Sequence, residues 1–288
     1  MLILPPSNKK AKREILFIYG QHSSLERWWG LVQHLSKFGT VTMPDLPGFG
    51  GMDSLYKIGQ PATIDNLADY LATFIKFRYK RKKVTILAMS LGFVIITRML
   101  QRYPDLTKKV DMLVSVVGFA HHDDFIYSKK RQAVYRFLTW LYSTRLISAI
   151  YQNVFLRSAL IRRFYHHAYN AREKFAHLSG EEFKRTMDTE IWLWQINNLR
   201  TQMKTNLEMF QLNNCDRRVD LPVWHVASKK DRYFDHTRVE EHMRLIFKDF
   251  TMFFTRDPNH APTIIADAKA AAPFVPPGLY KLLSKQPK

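Results

Sequence analysis

A single cysteine, Cys215, stands in a chain of 288 residues. An internal disulfide needs two, so no covalent framework holds this fold, and the thiol reads as an ordinary buried or half-buried side chain. A chain without disulfides suits a reducing compartment. The amino terminus carries only a few apolar residues before Pro5, Pro6 and a basic cluster, so the continuous apolar core of a secretory leader is missing. The expected location is the cytoplasm. Long hydrophobic runs are scarce as well. The richest, residues 137–156, is interrupted by Ser143, Arg145, Ser148, Gln152 and Asn153, whereas a bilayer span asks for about 20 apolar residues. It reads as an amphipathic helix facing a substrate cleft, with attachment to a membrane interface as the second reading.

Acidic residues are also few: 25 Asp and Glu against 44 Lys and Arg leave a net charge of +19. The excess is spread out, with 17 basic against 8 acidic residues over 1–118, 16 against 9 over 119–218 and 11 against 8 over 219–288. A nucleic-acid-binding arm would concentrate that charge, so no nucleic-acid partner is expected. A generally basic surface explains it, and weak attraction to an anionic membrane surface is the alternative.

What is present centres on residues 84–103. Residues 84–88 form a short apolar run suited to a buried parallel strand. Residues 91–103 place Phe93, Ile96, Met99, Leu100 and Tyr103 at helical spacing and stop before Pro104. Between them lies Ala88-Met89-Ser90-Leu91-Gly92, with small residues two before and two after a serine. A strand that turns into a helix so abruptly leaves that serine at the tip of the bend, with the Leu91 N–H at a helix N-terminus where it can meet developing negative charge. The first glycine of the usual G-x-S-x-G pattern is Ala88 here, a difference of one methyl group. Taken alone, the pattern is equally a serine capping an ordinary helix.

The rest of the chain supplies context. Residues 15–19 read as a buried strand running into Gly20-Gln21-His22, residues 25–38 as a helix, 40–43 as a strand ending in the turn-dense Asp45-Leu46-Pro47-Gly48-Phe49-Gly50, 64–78 as a helix and 110–118 as a strand. Alternating apolar strands and helices indicate an α/β protein with a mainly parallel sheet covered on both faces. Residues 119–218 break this rhythm with aromatic and basic helical patterns over 129–142, 146–164 and 181–209. Strand composition returns at 221–227, a helix follows at 236–247, and the last strand is expected at 250–254. The loop containing Asn259-His260-Ala261-Pro262 leads into a helix over 263–272, and the tail from Pro273 reads as a surface extension.

In this order of elements, with its YGQHSS loop, DLPGFG loop and AMSLG elbow, the chain resembles the α/β-hydrolase fold family in its branch of small esterases, lipases and carbon–carbon hydrolases. The resemblance covers roughly residues 14–118 and 219–272. It implies a core built from 1–118 and 219–288, a helical cap over 119–218, and about six strands, the family's two leading antiparallel strands being absent. The family's usual His-Gly after the first of these strands is Tyr19-Gly20 here, which puts the histidine's structural role in question. The resemblance places an oxyanion hole on the backbone N–H groups of Gln21 and Leu91.

A serine hydroxyl needs a base, and the base an acceptor that fixes its tautomer. Ser90, then Asp231 after the strand that follows the cap, then His260 after the last strand, give the chain order this fold requires. The expected roles are Ser90 as nucleophile, His260 as general base and acid, and Asp231 as orienting carboxylate; Asp235, Asp123 and Asp124 remain rivals for the last. His22, Met89, Trp140 and Trp192 are candidate substrate contacts, and no metal or cofactor is expected. The function these residues imply is hydrolysis of a lipophilic or aromatic carboxylic ester through an acyl-enzyme. Carbon–carbon bond hydrolysis, acyl transfer and a non-catalytic small-molecule binder are the alternatives.

Overall fold

A computed structural model describes residues 1–167, 180–256, 260, 265 and 267–285. Six parallel strands carry the sheet: β2 (Arg13–Ile18), β3 (Gly39–Met43), β4 (Val84–Met89), β5 (Val110–Val116), β6 (Val219–Ala227) and β7 (Phe247–Phe254). The sheet has a seventh member. β1 (Leu2–Leu4) lies antiparallel on the edge, pairing Leu2 with Met43 and Leu4 with Val41, so the strand order is β1-β3-β2-β4-β5-β6-β7. β1 carries little signal in the sequence because it is three residues long and Pro5 ends it; its pattern is visible only once paired, with Ile3 exposed between half-buried Leu2 and Leu4.

Every residue of β4 is buried, so both faces of the sheet are covered at its centre. The helices flanking it include α1 (Trp29–Leu35), α2 (Ile64–Arg78) and α3 (Leu91–Arg102). α2 packs on α3. The main core joins Ile15, Phe17, Leu87, Phe93, Ile96 and Val114 among many others. Gly92 permits the close fit of α3 on β2: a β-carbon there would lie 2.5 Å from the Tyr19 carbonyl oxygen and 2.7 Å from that of Ile18, distances that only a backbone shift could relieve.

Between β5 and β6 the chain forms α4 (Lys129–Ser143), α5 (Arg145–Ile150), a π-helical turn (Tyr151–Phe155), α6 (Ser158–His167), α7 (Gly180–Ile196) and α8 (Leu199–Met209). Two long helices expected from periodicity are thus broken. The 146–164 pattern divides around the π-turn. The 181–209 pattern divides at Asn197-Asn198, where the Asn198 side chain accepts the Thr201 N–H at 2.9 Å and starts a new helix. These helices carry a small core of their own, Leu156, Ile161, Met187, Ile191 and Leu199.

After β6 come α9 (His236–Ile246), β7, α10 (Ala268–Ala271) and α11 (Pro277–Ser284). Residues 263, 264 and 266 of the expected 263–272 helix lie outside the described residues, as do Ala261 and Pro262. The tail is a correction: α11 buries Leu279 and Leu283, stacks Tyr280 edge-on against Phe38 at 5.0 Å, and presents the Lys285 carbonyl to the buried Arg13 guanidinium at 2.6 Å. An amphipathic pattern of only two turns after a proline pair carries too little signal to distinguish from a loose tail.

Candidate active site

Three residues other than glycine hold positive φ among the described residues: His22 (52°), Ser90 (46°) and Val117 (43°). They directly follow β2, β4 and β5, or lie a few residues beyond them, so backbone strain is concentrated along one rim of the sheet, where its carboxyl ends lie. Strain of this kind persists only where the surroundings over-determine it, and it clusters at functional sites. At Ser90 (φ 46°, ψ −118°) the β4-to-α3 bend is enforced from both sides. Its N–H donates to Val116 O at 3.0 Å, its carbonyl accepts Phe93 and Val94 N–H, and Gly20 lies so close that a β-carbon there would be 3.0 Å from Ser90 Cβ. The serine side chain is left part-exposed at the tip.

The approach of Gly20 brings the loop after β2 against the elbow. Among the described residues, the backbone N–H groups of Gln21 and Leu91 donate to no acceptor. Two free N–H groups beside a part-exposed hydroxyl are the materials of an oxyanion hole. Tyr19, where the resemblance led to the expectation of a histidine, has a structural role of its own. Fully buried, its hydroxyl donates to Asp45 Oδ1 at 2.8 Å and accepts the Leu46 N–H at 3.0 Å, tying the loop after β2 to the loop after β3. Burial and then the Asp45 charge hold that phenol well above its usual range, so it stays a neutral donor.

Asp231 and His260 meet at the far side of the rim. His260 Nδ1 donates to Asp231 Oδ2 at 2.7 Å, with the carboxylate 2 % and the imidazole 13 % exposed. The other carboxylate oxygen accepts the N–H groups of Tyr233 at 2.8 Å and Phe234 at 3.2 Å. Burial alone would raise the Asp231 pKa; the His260 hydrogen bond and charge and the two N–H donors outweigh it, and the net shift is downward, so the carboxyl is held ionised. The imidazole is walled by Tyr233 and Phe234, whose ring centroids lie 4.9 and 5.4 Å away. No hydrogen bond from the Ser90 hydroxyl occurs among the described residues.

The rival carboxylates have other partners. Asp235 is the N-cap of α9, accepting Thr237 and Arg238 N–H. Asp124, fully buried, accepts the Ala120 and His121 N–H groups and pairs with His242. Asp123 is exposed beside His121 and His122, and these three bring one donor atom each to within 4.8 Å of one another. His121 Nδ1 accepts the Asp123 N–H and His122 Nδ1 faces Leu212 O at 3.0 Å, so local bonds hold both rings. The trio reads as the capping of a short 3-10 turn.

The expected substrate contacts separate. His22 lies where the rim of the sheet meets α7 and α8: its ring is 4.5 Å from Trp194, Nδ1 is 3.1 Å from Gln202 Oε1, and Nε2 is 3.7 Å from the buried Glu190. Beside it the Gln21 side chain donates to Gln202 O and accepts from Thr205. Met89 is a buried member of the core at the end of β4. Trp140 and Trp192 do not join this group. Trp140 is 53 % exposed on the outer side of α4 with Phe137, and Trp192 lines an open polar groove along α7 with Lys184, Arg185 and Asp188. The aromatic that meets the rim is Trp194, two residues on. Period-3.6 spacing could have separated Trp192 from Trp194 only if the inward face of α7 were known beforehand. Gln202 and Thr205 carried no signal, being polar residues in a helix without a motif.

A parallel sheet, a strained serine elbow and a carboxylate-held histidine at the carboxyl ends of its strands define the α/β-hydrolase architecture. The model of the alpha/beta hydrolase fold matches residues 15–262, and the chain belongs to that family. No curated relative matches it. Among solved structures it is similar to MenH from S. aureus (12 % identity, TM-score 0.66, covering 99 % of this chain and 98 % of that one). It is also similar to a protein assigned as a lipase, lip1, from Acinetobacter baumannii AYE (18 %, 0.63, 99 % and 88 %), and to one assigned as an aryl esterase from Burkholderia cenocepacia (16 %, 0.62, 91 % and 88 %). At such identities the likeness is one of fold.

Proposed function

We propose that the protein is a serine hydrolase that cleaves a carboxylic ester through an acyl-enzyme, with Ser90 as nucleophile, His260 as general base and then acid, and Asp231 as the carboxylate that orients it. The observation that carries the reading is the Asp231–His260 hydrogen bond at 2.7 Å. It fixes the proton on Nδ1 and leaves Nε2 as the basic nitrogen, on the rim that also carries the strained Ser90. A direct bond from Ser90 to Nε2 is not a requirement of the resting state, since nucleophile–base contacts often tighten only around substrate.

In the first step Ser90 Oγ attacks the ester carbonyl as His260 takes its proton; the carbonyl oxygen becomes an anion facing the Gln21 and Leu91 N–H groups. Collapse expels the alcohol, which receives the proton from His260. A water molecule, deprotonated by the same imidazole, then attacks the acyl-enzyme and releases the acid and Ser90. Each oxyanion donor is worth about 3 kcal/mol of barrier. The side chains packed behind His260 and beside His22 are apolar: Phe234, which walls the imidazole, stacks on the buried Phe119 at 4.3 Å and packs against the buried Phe125 at 4.9 Å, and Trp194 lies 4.5 Å from His22. Lipophilic acyl or aryl esters are the substrates such walls suit.

A panel of p-nitrophenyl esters of increasing acyl length tests this. Ser90→Ala is expected to lose roughly four to six orders of magnitude in kcat with its circular dichroism unchanged. Near wild-type hydrolysis by Ser90→Ala, or no turnover of any ester by the wild type, overturns the proposal.

A further inference from the structure

The helix α4 is inside out. Its inward side, facing α8, is lined by Gln132, Tyr135 and Thr139, with Gln132 and Thr139 buried and satisfied by main-chain carbonyls of Tyr127, Tyr135 and Arg136. Its outward side carries Val134 (55 % exposed), Phe137 (59 %) and Trp140 (53 %). At 100° per residue these three fall within one face, together with Lys130. The inversion continues into α5, where Ser148 is buried while Leu146 (69 %) and Ile150 (47 %) face outward, and through the π-turn, where Val154 and Phe155 are about half exposed. α5 packs on both α4 and the π-turn, so these residues belong to one continuous surface. Large apolar patches on a soluble chain mark something they dock against.

The charge around the patch selects the partner. From Phe125 to Arg163 the sequence holds eight Lys and Arg and no Asp or Glu, and Lys129, Lys130, Arg136 and Arg145 are exposed on or beside the apolar face. A second copy of this chain would set that excess against itself, a repulsion, whereas an anionic lipid surface complements it. Aromatic and aliphatic side chains rimmed by basic ones on helices that lie flat are the composition of an interfacial membrane contact. No helix among the described residues is long and apolar enough to cross a bilayer, so the contact is with one leaflet. We infer that the outer face of α4, α5 and the π-turn docks this protein on anionic membranes, placing Phe137, Trp140 and Leu146 among the lipid chains and the basic rim at the headgroups.

Co-sedimentation of the full chain with phosphatidylcholine vesicles, with and without about one phosphatidylserine in three lipids, tests it. The expected result is binding that requires phosphatidylserine, weakens as salt rises, and falls roughly tenfold for each of Phe137→Ser and Leu146→Ser. Both positions are solvent-exposed, so the variants are expected to fold and to hydrolyse a soluble ester like the wild type. Ser90→Ala is expected to bind vesicles normally, which keeps loss of docking distinct from loss of chemistry. Absence of binding at low salt, equal binding without phosphatidylserine, or binding that neither variant weakens overturns the inference. A wild-type dimer in sedimentation velocity that Phe137→Ser converts to monomer, without vesicle binding, assigns the face to a second copy instead and overturns it too.

Discussion

α3 and α4 are helices of similar length with apolar residues at helical spacing, and they use that pattern in opposite senses. In α3 the face formed by Phe93, Ile96, Met99 and Leu100 is buried against the sheet; in α4 the face of Val134, Phe137 and Trp140 is turned to solvent while Gln132 and Thr139 go inward. Periodicity identifies which residues share a face. The direction of that face is decided by what surrounds the helix. α3 leaves a central strand and must return onto the sheet, so its apolar side has one place to go. α4 lies outside the sheet and meets α8, and its inward Gln132 and Thr139 are satisfied by carbonyls of Tyr127, Tyr135 and Arg136 in its own stretch of chain, so burying this side leaves no polar group unpaired.

The largest expected effect lies at the rim that α3 helps to build. Asp231→Asn keeps the geometry but no longer fixes the Nδ1 proton of His260, and kcat on an activated ester is expected to drop about 10,000-fold; an unchanged kcat would show that the rim does no chemistry. The two helices are compared directly through one residue type. Phe93→Ala, in the core, is expected to cost about 3–5 kcal/mol in urea unfolding, whereas Phe137→Ala on the outer face of α4 should move stability by less than about 0.5 kcal/mol. Equal costs would mean that Phe137 is buried in solution and that the contrast between the helices fails.

A smaller effect separates buried from exposed histidines. His225 in β6 is buried, with Nδ1 2.9 Å from Ser115 Oγ, and burial, reinforced by His236, lowers its pKa from 6.5 to about 3. The native imidazole therefore stays neutral while an unfolded one takes up a proton near 6.5, so stability is fully present above that value and is lost as pH falls from about 6.5 toward about 3. The loss is on the order of 1 kcal/mol per pH unit. Asp231, whose pKa lies below the ordinary 3.8, adds a further loss that sets in as pH falls through 3.8, overlapping the lower end of the His225 window. Urea midpoints measured from pH 7 downward check this, and His225→Gln, which keeps a polar partner for Ser115, is expected to flatten the decline.

Much of the core was legible because its signals are local. Small residues around Ser90 forecast the bend, alternating strands and helices forecast the parallel sheet, and chain order placed Asp231 and His260 at its carboxyl ends. What escaped was set by pairing over long distances. β1 is recognisable only beside β3, α11 only through Arg13 and Phe38, and Trp194 rather than Trp192 only once α7 has a fixed orientation over His22. The outward turn of Phe137 and Trp140 escaped for the same reason: a tryptophan in a cap reads as a cleft residue until the neighbours of its helix are known.

The most direct measurement is covalent. A fluorophosphonate probe reacts with a serine only where a base and an oxyanion hole activate it, and mass spectrometry of the digested adduct locates the modified residue. The expected adduct is on Ser90, slowed by His260→Ala and absent in Ser90→Ala. An adduct on a different residue, or none on a folded wild-type protein, would contradict the assignment of this rim as the site of chemistry.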